Sequence, residues 1–315
     1  MRKTSLDMVY QLAKKDERIF FIGSDLGVDT LNEFKEEMPD RFFMEGVSEA
    51  NVVGMAAGLA LEGKIVYVNT IATFLTRRCY EQNVLDLGLH KTRVRLIANG
   101  GGLVYAPLGP THLATDDLAI MRAIPNMTVI AVADADEMKR MMPQTVDIDG
   151  PVYIRLGKGH DPIVTDDEHP FKIGHAVPMR TGDDALIVTT GVALKGALEA
   201  ADALKAKGVS AAVLHCHTVK PLDREAVLKF ARKVPAVLTF EEHSLIGGLG
   251  SAVAEIVAEA EFEPSKKFRR IGLPDVFPEK YGSQASLMAH YGITAEAIVS
   301  EITGMLASKT GRVGV

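Results

Sequence analysis

VRLIANGGGLVYAPLGPTHLATDDLAIMRAIPNMTVIAV, residues 94–132, holds the plan of the whole chain in one segment. VRLIA (94–98) and MTVIAV (127–132) are short β-branched runs without polar alternation, the pattern of strands buried on both faces of a parallel sheet. Between them come a loop with three consecutive glycines, His112, and a helical pattern over 114–122. Strand, loop, helix and strand make a βαβ unit.

The same alternation extends outward in both directions. FFIG (20–23), KIVYV (64–68) and PVYIRL (151–156) read as further strands, separated by helical patterns over 28–38, 49–61, 73–88 and 134–146. Residues 161–184 are polar, carry Pro and Gly, and have no period, which marks a domain boundary. A second alternation follows, with strands at 185–191, 210–216, 235–243 and 269–274 and helices at 193–207, 223–232, 249–260 and 294–307. The chain is therefore α/β with two domains, 1–165 and 180–315, each a mostly parallel sheet flanked by helices. A length of 315 residues points the same way, because single cores seldom grow so large.

Composition narrows the function. Hydrophobic content of 47% and charged content of 24% are those of an ordinary globular protein. A net charge of −6 leaves no basic footprint for nucleic acid. Cys79 and Cys216 are too far apart for a disulfide framework or a metal spacing, so a reducing, cytoplasmic setting is expected. The N-terminal stretch has no apolar segment of signal-peptide type, and no apolar run is long enough to span a membrane. The phosphate-loop, dinucleotide, nucleophile-elbow and zinc-protease motifs are all absent.

Ligands of open α/β sheets bind at the carboxyl ends of strands. Four stretches meet that condition. In GVSEANVVGMAAGLAL (46–61), Glu49 opens a helix apolar on nearly every face. It is either a first-turn carboxylate matched to the helix dipole, with Ser48 as cap, or a carboxylate held for chemistry. In the glycine loop, His112 precedes a helix whose first turn suits Asp116 and Asp117. In NTIATFLTRRCYEQ (69–82), Ile71, Phe74 and Tyr80 either line a flat pocket or belong to the core. In FEEHSLIGGLG (240–250), Glu241, Glu242 and His243 end a strand, but adjacent strand residues face opposite sides, which disfavours joint metal ligation.

Taken together, GVSEANVVGMAAGLA, the TFL..R stretch, GPTHLATDDLAIMRAIPNMTVI and EEHSLIGGLGSAVAE resemble the transketolase family of thiamine diphosphate enzymes, in order and over almost the whole chain. The resemblance implies a pyrimidine-binding domain followed by a transketolase C-terminal domain. It gives Glu49 the role of hydrogen-bonding N1′ of the cofactor's aminopyrimidine, where a carboxyl sharing a proton in an apolar site favours the imino tautomer. Ile71, Phe74 and Tyr80 would pack on that ring, and Arg77 stands where some members have another aromatic. FIGSDLG (21–27) resembles the family's early Asp-Leu turn and makes Asp25 a cofactor-site candidate. His112 would face the substrate as a proton-transfer group.

Family members bind the diphosphate through Mg²⁺ and a Gly-Asp-Gly motif on a separate domain, and that motif is missing here. The resemblance therefore implies the second subunit of a split enzyme. A partner chain would carry the diphosphate and Mg²⁺ site, in an α₂β₂ assembly with self-association of this chain. The reaction implied is transfer of a two-carbon ketol or acyl unit between small molecules. Where ketose-using members place charged groups, this chain has Gly100 and Leu108, and Arg155 or Lys158 would meet a substrate phosphate. The β chain of a 2-oxoacid dehydrogenase, a deoxyxylulose-phosphate synthase-like carboligase and a non-catalytic subunit are the alternatives.

Overall fold

The computed structural model describes residues 1–24, 31–157, 159 and 161–307. Among these the strands are β1 (Ile19–Gly23), β2 (Phe42–Met44), β3 (Ile65–Ile71), β4 (Val94–Asn99), β5 (Thr128–Ala131), β6 (Val152–Leu156), β7 (Val177–Arg180), β8 (Ala185–Thr189), β9 (Ala211–His215), β10 (Thr218–Lys220), β11 (Ala236–Ser244) and β12 (Lys267–Leu273). They form two sheets, ordered β10-β5-β6-β4-β3-β1-β2 and β12-β11-β8-β9-β7. Pairing is parallel throughout, except where β10 and β7 add antiparallel at an edge.

The fully buried strands follow from their composition. Every residue of β4 is buried, as parallel strands with helices on both faces require. Register aligns the carboxyl ends that matter: Gly23 pairs with Asn69, and Ile71 with Asn99. A polar layer closes this end of the sheet. Asn99 Nδ2 donates to Asn69 Oδ1 at 2.7 Å, and Ser24 Oγ to Thr70 Oγ1 at 2.7 Å. The strand order reverses around β1, the kind of switch point at which open α/β sheets bind ligands.

Three elements depart from the sequence expectation. The 161–184 boundary contains β7, which joins the second sheet. β10, from the C-terminal half, adds to the first sheet and ties the halves together. The helix expected over 73–88 is instead Ala72–Thr76, Tyr80–Gln82 and a π-helical turn, Asn83–Leu89. The Asn83 side-chain amide donates to Leu75 O at 2.7 Å, satisfying a carbonyl at the end of the first piece and breaking the regular ladder.

The glycine loop is part of the second domain's core. Leu103, Tyr105, Ala106 and Leu113 pack in one apolar cluster with Phe240, Leu273 and Leu287. A second cluster, centred on Val52, Val53, Ala56 and Ala57 of the helix Glu49–Leu61, fills the space beneath the first sheet.

Candidate active site

Glu49 is the first residue of the helix Glu49–Leu61 and is 2% exposed. Ser48 does not cap that helix with its side chain; its hydroxyl donates to Glu45 O at 3.0 Å instead. The helix is also less enclosed than its sequence suggests. Val52, Val53, Ala56 and Ala57 are buried, while Leu61 at its end is 63% exposed.

The partner of Glu49 is Arg78, whose Nη1 lies 2.6 Å from Glu49 Oε2. The same guanidinium sits over the Phe74 ring at 4.2 Å. On Phe74 the His112 imidazole packs edge-on, with centroids 5.3 Å apart. His112 is held by its neighbours: Thr111 Oγ1 lies 2.9 Å from Nδ1, and Thr73 Oγ1 donates to His112 O at 3.2 Å. Glu49 and Phe74 thus meet through one cation, and His112 joins them through the Phe74 ring. Burial pushes the neighbouring Cys79 thiol up to about 12, and the Glu49 charge adds to that.

Arg77 turns the other way. Its guanidinium forks onto Asp116 at 2.7–3.0 Å and donates to Leu113 O at 2.9 Å, bracing the helix start beyond His112. Ile71 is half-buried against the cluster containing Leu103, Tyr105 and Leu113. Tyr80 is half-buried against the cluster that includes Val52 and Cys79. Gly100 is buried with φ of +76°, and its Cα faces the Tyr105 ring. Leu108, by contrast, is 50% exposed. Asp25 and Lys158 lie outside the described residues.

Asp117 stands in the first turn of its helix, as its sequence position suggests, and there it meets Arg155. Arg155 Nε donates to Asp117 Oδ2 at 2.8 Å, Tyr153 OH donates to the same oxygen at 2.7 Å, and Arg155 Nη2 donates to Glu242 O at 2.8 Å. A guanidinium so enclosed, 5% exposed, is a structural bolt between the domains and has no face for a substrate phosphate. Glu241 and Glu242 face opposite ways along β11. Glu241 accepts from Leu249 N and Gly250 N, and Glu242 accepts from Leu103 N in the other domain. Among the described residues, no group of three His, Cys, Asp or Glu side chains is placed to hold a metal.

Fold and site define a two-domain α/β chain with a buried carboxylate, an aromatic ring and an imidazole at the carboxyl ends of a parallel sheet. Comparison with known proteins agrees. The transketolase pyrimidine-binding domain matches residues 1–162, and the transketolase C-terminal domain matches residues 174–298. A 6-deoxy-6-sulfo-D-fructose transketolase subunit, SqwH, from Clostridium sp. strain MSTE9 is 39% identical over 95% of this chain and 92% of its own length. One of the subunits of apulose-4-phosphate transketolase from Phocaeicola vulgatus is 35% identical over 94% of each chain. A 1-deoxy-D-xylulose-5-phosphate synthase from Geobacter sulfurreducens is 38% identical over 96% of this chain but only 47% of its own length. Among solved structures, a split-gene transketolase described as an inactive beta4 tetramer superposes with a TM-score of 0.88 at 36% identity, covering 97% of both chains. The chain belongs to the transketolase family of thiamine diphosphate-dependent transferases.

Proposed function

We propose that this chain is the aminopyrimidine-binding subunit of a split transketolase, transferring a two-carbon ketol unit between small molecules in an α₂β₂ complex. The observation that carries the reading is the Arg78 guanidinium, stacked on Phe74 and donating to buried Glu49. A guanidinium is a planar group edged with N–H donors. It stands in for the edge of an aminopyrimidine, which needs the same flat aromatic surface and the same buried carboxylate. Arg78 is 46% exposed, so leaving for solvent costs it little.

Glu49 would hold the ring's N1′, with Phe74, Ile71 and Tyr80 supplying apolar packing. When bound, thiamine diphosphate supplies the electron sink that a carbon–carbon cleavage beside a carbonyl requires. His112 would stand over the reacting carbonyl side. Were the Thr111 hydroxyl to donate to Nδ1, Nε2 would carry a proton to offer to substrate oxygen. Leu108, half-exposed on the loop, would be the position that meets the donor, and an apolar residue there would favour a less hydroxylated donor. The relatives compared above are transketolase subunits and a deoxyxylulose-phosphate synthase, which favours the transketolase reading over the 2-oxoacid dehydrogenase one.

With no Gly-Asp-Gly in the chain, the diphosphate and Mg²⁺ would be held by an N-terminal partner subunit. The test combines this chain with a Gly-Asp-Gly-containing partner and titrates thiamine diphosphate in the presence of Mg²⁺. Turnover by the pair, abolished in Glu49→Gln, is the expected result. Full activity of this chain alone, or an unimpaired Glu49→Gln pair, would sink the reading.

A further inference from the structure

We propose that Glu242, in the C-terminal domain, is a positioning residue for the active-site loop: its buried carboxylate pins the Leu103 amide and thereby fixes the path of residues 100–112. The inference rests on the assignment of His112 to the active site. Leu103 N donates to Glu242 Oε1 at 2.6 Å, across the junction between the domains. The carboxylate is itself oriented by Gln284, whose Nε2 lies 3.0 and 2.9 Å from the two oxygens. Glu242 is 2% exposed, so water does not substitute for these donors.

The three glycines gain their reason from this contact. A Cβ on Gly102, at φ of +67°, would lie 2.6 Å from the Glu242 carboxyl carbon, and one on Gly101 would press on the Arg155 side chain. The loop backbone must pass directly over the carboxylate, which only glycine permits. A loop with positive φ at Gly100, Gly102 and Gly109 has much freedom to lose, and a fixed charged acceptor supplies the restraint.

The charged groups facing Glu242 are Arg155 from β6 and, behind it, Asp117 from the helix Asp117–Ala123. Burial pushes the Glu242 carboxyl up to about 7, against the opposing pull of Arg155 and of the bonds from Leu103 and Gln284. The ionised acceptor is therefore complete above about pH 7 and is lost as pH falls below it. Loop anchoring, and with it turnover, should weaken on the acid side.

The test uses the full chain by itself and then the assembled enzyme. In Glu242→Ala, amides 101–105 should exchange with solvent about tenfold faster at pH 8, the cost of one charge-assisted bond. In the assembled pair kcat should fall about tenfold, with donor KM and thiamine diphosphate affinity within about twofold, because what is lost is placement of His112. Glu242→Gln, the neutral isostere of the protonated acid, should hold kcat at pH 8 near the wild type's acid-side value and lose the acid limb near pH 7. Should Glu242→Ala fail to fold, Gln284→Leu is expected to move exchange and kcat in the same direction by a smaller factor. Unchanged loop exchange, a rise in KM in place of the fall in kcat, or an acid limb retained in Glu242→Gln would each overturn the proposal. Exchange is read without any turnover, so a wild-type pair inactive as a transketolase would overturn the proposed function while leaving the loop result standing.

Discussion

Arg78 and Arg77 are neighbours in sequence with opposite tasks, and both lie in the turn after the helix Ala72–Thr76. Arg78, four residues beyond Phe74, folds back over its ring, whereas Arg77 is turned toward Asp116. That spacing was legible in TFLTRRCYEQ, but which arginine mattered depended on where the helix breaks, and the π-helical turn after Gln82 could not be read from propensity. A second buried arrangement is more consequential for stability. His215 Nε2 lies 3.0 Å from Glu137 Oε1, and the His217 ring stacks on Phe171 at 3.8 Å. Burial drives His217 down to about 3, and the His215 and His175 charges add to this while Glu137 opposes it. The folded state thus refuses a proton that the unfolded chain accepts below about 6.5, so stability is lost as pH falls through that value. Between pH 6.5 and 5 the linkage amounts to about 2 kcal/mol. Urea denaturation across this range should show that loss, and His217→Phe, which keeps the ring stack, should flatten it. An equal acid slope in the variant would count against the assignment.

At the level of elements, those with strong periodicity stand where the sequence places them: Leu194–Ala206, Arg224–Lys233, Leu249–Glu259 and Ala295–Ala307 each fall within a residue or two of expectation. Short pieces whose formation depends on a distant partner were not legible. β10 is three residues long and exists because β5 offers it an edge. Lys220 then caps the preceding helix by donating to Arg122 O at 2.9 Å and to Ile124 O. The helix Leu249–Glu259 shows how a non-local residue can do a cap's work. Gly248 has no side chain to offer, and Glu241, 1% exposed, accepts from Leu249 N at 2.8 Å and Gly250 N at 2.7 Å. Negative charge at that end also complements the helix dipole. Removing the carboxylate strands two buried amides, so Glu241→Ala should lower the unfolding free energy by about 3 kcal/mol. Chemical denaturation of the full chain measures this directly, and a loss below about 1 kcal/mol would show that water or a shifted backbone replaces the cap.

For the whole molecule, the candidate site was legible in part because catalytic residues sit at strand ends, a place the alternation pattern identifies. Glu242 was not legible as a loop anchor, since its contact with Leu103 spans 139 positions. The apolar surface around the helix Glu49–Leu61 bears on assembly. Leu61 is 63% exposed, and on the adjacent π-helical turn Leu85 is 42% and Leu89 66% exposed, while Val47 before the helix is 68% exposed. Isolated exposed leucines need no explanation, but several around one helix are what a subunit contact on this face would use. A helix as apolar as EANVVGMAAGLAL is consistent with burial on both faces once assembled, which reconciles its sequence with its half-open position here. Charge placed at the centre of such a surface must be desolvated on association and finds no partner there. The double variant Leu61→Glu, Leu89→Glu should therefore weaken assembly by about a hundredfold or more while leaving each chain folded, since neither side chain is buried in the single chain. Sedimentation velocity should show a shift to lighter species with an unchanged circular dichroism spectrum, and turnover by the reconstituted pair should fall in proportion to the assembly lost. An undiminished assembly would place the subunit contact elsewhere on the molecule.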